Sequence, residues 1–105
     1  MKQIKIYTLS DCGVCKKLKS ELNNRGIVYI EYECHETDDR CDALEAMCNT
    51  SMYPFARIKV NSDLTTYLAL STDYTKVNKK IQIDKFTYVY YLDSINNMLS
   101  ILENV

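Results

Sequence analysis

Two glycines and one proline in 105 residues leave little material for tight turns. There is no tryptophan, and His35 is the only histidine. A structural zinc site takes four ligands, commonly from two CxxC pairs or paired histidines. This chain has neither a second CxxC nor a second histidine. Charge of one sign is not in excess: 13 basic against 14 acidic residues give a net charge of −1. That balance carries no electrostatic footprint for nucleic acid. No apolar run reaches the length needed to span a bilayer. The N-terminus alternates charged and apolar residues and so reads as free of a signal peptide. No internal repeat or low-complexity segment is seen.

What is present fits one soluble globular domain over residues 1–105, with 47% apolar and 26% charged residues. A monomer in the cytoplasm is expected. Five cysteines, an odd number without a secretion signal, point to a reducing compartment where disulfides are transient and catalytic.

The informative stretch is residues 4 to 26. Ile4-Lys5-Ile6-Tyr7-Thr8-Leu9 reads as a strand, within residues 2 to 9. Ser10-Asp11 ends it, Cys12-Gly13-Val14-Cys15 follows, and a helix is expected over about 13 to 25, closed by Gly26. In that helix Cys15, Leu18 and Leu22 form an inward stripe. Strand, CxxC and helix in this order are the signature of a thioredoxin-like dithiol site. A sulfur just ahead of a helix faces free amide N–H groups and the positive end of the dipole, which stabilise a thiolate. Lys16 and Lys17 add positive charge; Asp11 acts the other way. Position makes Cys12 the exposed attacker and Cys15 the buried resolver, with exchange through a mixed disulfide on Cys12. The competing reading is a binding or regulatory module that uses the CxxC for metal or for a partner.

Ile27-Val28-Tyr29-Ile30-Glu31-Tyr32 reads as a second strand, which makes a right-handed βαβ unit. The polar run from Glu33 to Arg40 is loop-like, and Thr37 or Asp38 is placed to cap a helix over 39 to 49. Cys34, Cys41 and Cys48 recur every seven residues. One reading is a second thiol set or metal ligands, with His35 among them. The reading preferred here has Cys41 and Cys48 as small hydrophobes on the buried face of that helix, and His35 as a loop residue.

Ser51-Met52-Tyr53-Pro54 precedes a strand over 55 to 60. A proline there is a candidate for a cis peptide bond that exposes the Tyr53 backbone to a docked chain; an ordinary strand-starting proline is the other reading. A turn at 61–64 leads to a strand over 65 to 70. Residues 71 to 80 are polar and suit one short helical turn. Short strands at 80–83 and 86–91 flank Asp84-Lys85, and Ile95, Met98, Leu99 and Leu102 predict a last helix over about 93 to 102, capped by Asp93 or Ser94.

The chain resembles the glutaredoxin family of the thioredoxin superfamily, in particular its small phage and bacterial members. The resemblance rests on the strand leading into Cys12-Gly13-Val14-Cys15, on Met52-Tyr53-Pro54 where the family has Thr-Val-Pro, and on the βαβ spacing. It is good over residues 1 to 70 and poor beyond. It implies an α/β thioredoxin-like fold: a central mixed sheet of about four strands flanked by helices, here with an extra C-terminal β-hairpin. It implies a thiol–disulfide oxidoreductase with Cys12 as nucleophile, Cys15 as resolving cysteine, Pro54 as cis-proline and Tyr53 offering its backbone to glutathione or a peptide. The family's Gly-Gly and following Asp, which bind the glutathione carboxylate, correspond to Ser71-Thr72-Asp73, so Asp73 is the substrate-binding counterpart. Val14 stands where the family usually has an aromatic residue. No tightly bound cofactor or metal is implied. The implied partners are a disulfide-containing protein, ribonucleotide reductase among the candidates, and glutathione or a thioredoxin reductase as electron source. Neither a membrane nor a nucleic acid is among them, and the compartment is the cytoplasm, the host's if the chain is phage-encoded.

Overall fold

Alternation along the strands decides where the helices pack. The computed structural model describes residues 2–61 and 63–105; Ser62, expected in the turn at 61–64, lies outside the described residues. In β1 (Gln3–Leu9), Ile4 and Ile6 belong to one apolar cluster and Tyr7 to another. β3 (Phe55–Lys59) and β4 (Thr65–Leu70) divide the same way: Ala56, Ile58, Leu68 and Leu70 go to the first cluster, Phe55 and Ala69 to the second. Two cores therefore lie on opposite faces of one sheet.

The first core is sealed by α1 (Gly13–Asn24) and α3 (Ile95–Glu103), through Leu18, Leu22, Met98, Leu99 and Leu102. The second is covered by α2 (Asp39–Cys48), through Cys41, Leu44 and Cys48. β2 (Ile30–Cys34) pairs parallel with β1, β3 antiparallel with β1, and β4 antiparallel with β3. The hairpin β5 (Lys80–Asp84) and β6 (Thr87–Leu92) continues the same sheet: β6 runs parallel to β4 and β5 forms the edge, in the order β2-β1-β3-β4-β6-β5. The four expected strands thus belong to a sheet of six. Among the described residues no helix is long and apolar enough to cross a membrane.

Local chemistry sets the element ends. Gly26, at φ +68°, lets its own N–H reach the Asn23 carbonyl and that of Ile27 the Leu22 carbonyl, closing α1. The chain then needs three residues to align with β1, because pairing begins at Lys5 with Ile30. β2 therefore starts at Ile30, not Ile27, although residues 27 to 29 have strand-like composition. Asp38, not Thr37, caps α2 by accepting from the Arg40 N–H. Asn49 ends that helix at φ +52°, one residue inside the expected boundary. Ser94 caps α3, and residues 73 to 78 form the expected turn, with the Lys76 and Val77 amides on the Asp73 carbonyl. Arg25 ties α1 to α3, with 2.7 Å to Glu103 and 3.5 Å to Glu21.

Leu22 is fully buried in the first core, whereas Ile83 on the edge strand is 42% exposed. Leu22→Ala is expected to lower unfolding free energy by about 3 kcal/mol. Ile83→Ala should stay within about 0.5 kcal/mol of the parent. Urea denaturation followed by circular dichroism checks both.

Candidate dithiol site

β1 sits between β2 and β3, which hold it as far as Tyr7 on the β3 side and Leu9 on the β2 side. The next residues deliver Cys12 as the N-cap of α1, with extended backbone at φ −102° and ψ 104°. Its Sγ accepts from the Cys15 amide at 3.1 Å, and its carbonyl accepts from the Lys16 amide at 3.1 Å. The sulfur takes the place that a serine or aspartate oxygen holds at most helix starts. The Cys12 and Cys15 sulfurs are bonded to each other, with Cα atoms 5.2 Å apart. Cys15 is 1% exposed, while Cys12 is half-buried and stands at the surface. The first turn of α1 holds no acidic residue, and Lys16 and Lys17 are exposed beside it. A Cβ on Gly13 would meet nothing within 4 Å beyond its chain neighbours, and Gly13 and Val14 are exposed.

The same end of the sheet gathers the other expected residues. β3 runs antiparallel to β1, and its first residue, Phe55, is opposite Tyr7. The Tyr53–Pro54 peptide bond just before it is cis. Tyr53 shares an apolar cluster with Cys15, and Cys12 packs against that cluster. The Tyr53 ring stands edge-on to Phe55 at 4.9 Å, and its hydroxyl donates to Glu45 of α2 at 2.7 Å. Burial, with the Glu45 carboxylate beside it, pushes the Tyr53 phenol above its usual range, so it stays a donor. Asp73 follows the C-terminal end of β4, which lies at this end too. Its carboxylate accepts from the Thr75 N–H and hydroxyl, at 3.0 and 2.7 Å, and Thr75 holds its pKa low.

Three features of this region were not legible in the sequence. Cys34, at the end of β2, is bonded to Cys41 in the first turn of α2, with Cα atoms 6.1 Å apart. Cys41 is buried as expected, but as half of a cross-link. The spacing of seven was visible; that it spans a strand end and a helix start close enough to bond was not. Glu45 was passed over because nothing local marks it as the partner of Tyr53. A groove of about 470 Å³ runs between α2 and the Tyr53 turn, lined by Leu9, Cys34, His35, Cys41, Glu45 and Tyr53 among others. Cys48 carries a free thiol, and burial pushes its pKa up to about 12. Among the described residues no group of three or more His, Cys, Asp or Glu could hold a metal ion.

A cysteine pair opening the first helix, next to a cis-proline on a neighbouring antiparallel strand, defines a thioredoxin-fold dithiol protein. The glutaredoxin family model matches residues 4–60, more than half of the chain, from the second residue of β1 to just past β3, and the chain belongs to the glutaredoxin family. No curated protein and no solved structure matches it. Family and Cys12–Cys15 pair together point to thiol–disulfide redox chemistry.

The Cys34–Cys41 link closes a short loop, and replacing both residues by serine is expected to cost about 2 kcal/mol of stability. Urea unfolding of the double variant measures this. Cys48 should remain unalkylated by iodoacetamide in the native protein at pH 8, since its thiolate is scarce and buried; intact-mass spectrometry reads that directly.

Proposed function

We propose that the protein is a thiol–disulfide oxidoreductase in which Cys12 attacks and Cys15 resolves. The observation that carries this reading is the Cys12 sulfur at the N-cap of α1, accepting an amide and bonded to Cys15. In the reduced protein a Cys12 thiolate meets the same Cys15 N–H and the dipole of α1. It attacks one sulfur of a substrate disulfide, forms a mixed disulfide and releases the other substrate sulfur as a thiolate. The Cys15 sulfur, as thiolate, then attacks the Cys12 sulfur and expels the second substrate thiolate. The substrate gains two electrons and the protein is left as the Cys12–Cys15 disulfide. Two thiols of a reductant restore the dithiol; glutathione and a thioredoxin reductase are the candidates.

Tyr53 and Pro54 serve as the substrate platform. The phenol is anchored on Glu45 and Phe55, which leaves the Tyr53 backbone to pair with an extended substrate segment. Asp73 is the further substrate contact, at the same end of the sheet. The substrate class is a disulfide-bearing protein in the cytoplasm, such as an enzyme of the ribonucleotide reductase kind that is oxidised in each turnover. The protein acts as a monomer without a bound cofactor.

Insulin reduction, run separately with glutathione plus its reductase and with a thioredoxin reductase, tests the reading. Turnover is expected with at least one system and loss of turnover in Cys12→Ser. Cys15→Ser should lose dithiol turnover and accumulate a mixed disulfide, seen as a mass gain equal to the substrate thiol. Undiminished activity in Cys12→Ser would overturn the assignment.

A further inference from the structure

The two faces of the sheet are covered unequally. α2 has ten residues, about 15 Å of helix, and shields its face only over the end where Cys34, Tyr7, Phe55 and Ala69 are buried. Two residues back along the strands, the same face presents Lys5, Arg57 and Tyr67 in register. Two further back it presents Gln3, Lys59 and Thr65. These side chains are half-buried or exposed. Arg40 of α2 joins them from above, 5.7 Å from the centre of the Tyr32 ring, and the Lys5 ammonium lies 5.8 and 5.9 Å from the Tyr32 and Tyr7 rings.

Four cations are thereby brought together: Lys5, Arg40, Arg57 and Lys59. Among the described residues none of them makes an ion pair, whereas Lys19 and Arg25 do so elsewhere. The Arg57 Nη2 donates to Gln3 at 3.0 Å, but its Nε is buried without a partner among the described residues. Burial and the charges of Arg57, Arg40 and Lys59 hold the Lys5 ammonium below the usual lysine range. A chain of net charge −1 thus concentrates unpaired positive charge on the half-open end of one sheet face.

We propose that this face is a docking surface for an acidic polypeptide segment of the protein whose disulfide is reduced, a step that rests on the reductase reading of Cys12. Charge complementarity names the class of occupant. The rings argue against a nucleic-acid strand. Tyr7 is buried, and Tyr32 has both Lys5 and Arg40 against it, so these two rings make a poor platform for stacked bases. Distance suits a two-point contact. Lys5 lies roughly 15–20 Å along β1 and its turn from Cys12, far enough for a substrate to hold the patch with one segment and the dithiol with another. Fields of this kind raise encounter rates and weaken as salt screens them.

The test is amide NMR titration of the oxidised protein with a poly-glutamate peptide, a poly-lysine peptide and an oligo-dT strand, at low and high salt. Poly-glutamate is expected to shift Lys5, Arg57 and Lys59 and to be displaced by salt. Binding should weaken roughly tenfold in a Lys5→Gln/Arg57→Gln/Lys59→Gln variant, with a smaller loss in Lys59→Glu alone, which keeps the test alive if the triple variant does not fold. Reduction of the small uncharged bis-hydroxyethyl disulfide should be unchanged in Lys59→Glu. No shift on this face, or tighter binding of oligo-dT, overturns the proposal. A parent protein that binds poly-glutamate here yet reduces no disulfide would instead sink the reductase reading, while intact reductase activity without poly-glutamate binding would sink only the docking surface.

Discussion

The site depends on one hydrogen bond: the Cys15 amide donating to the sulfur of Cys12 at the start of α1. Helix N-termini leave amide groups without intrahelical partners, and those groups must find an acceptor. Here the acceptor is sulfur, so the need of the helix and the stabilisation of a thiolate coincide. The arrangement requires β1 to end and α1 to begin within a few residues, at a position that does not drift. Pairing of β1 with β3 up to Tyr7 and with β2 up to Leu9 fixes the strand end, and Leu18 and Leu22 in the first core fix the helix axis. The Gly26 turn and the Arg25 contacts to Glu21 and Glu103 hold the far end of the helix.

Much of this was legible along the chain because it is local. Residues 3 to 26 show their period, cap and breaker in order, and the structure follows them to within one or two residues. Pro54 was legible as a candidate because proline is the residue at which cis bonds occur. What stayed hidden depends on contacts between distant segments. Ile27 and Val28 have strand composition, but the register with β1 leaves them out of the strand. The hairpin at 80 to 92 was visible as a hairpin; that it would extend the sheet beside β4 depends on a parallel pairing with no signature in either strand. The tie between Glu45 and Tyr53 joins a helix to a turn, and the basic sheet face exists only once β1 and β3 are side by side.

The second disulfide sharpens the point, because each pair places one cysteine in the first turn of a helix but in different local charge. Counting from each N-cap, Cys15 in α1 and Cys41 in α2 occupy the same helical position, three residues on. In α1 the cap is Cys12 itself, and the first turn carries no carboxylate. In α2 the cap is Asp38, whose carboxylate accepts from the Arg40 amide, and Asp39 and Asp42 stand in the first turn. A thiolate forming at Cys41 would find the Arg40 amide engaged by the Asp38 carboxylate, and three carboxylates in the turn against the one cation of Arg40. One forming at Cys12 keeps the Cys15 amide for itself, with Lys16 and Lys17 set against the single carboxylate of Asp11. Exchange needs a stabilised thiolate as attacker or leaving group. The start of α1 therefore favours exchange and the start of α2 opposes it, where the Cys34–Cys41 pair cross-links β2 to α2 beside the groove at Tyr53.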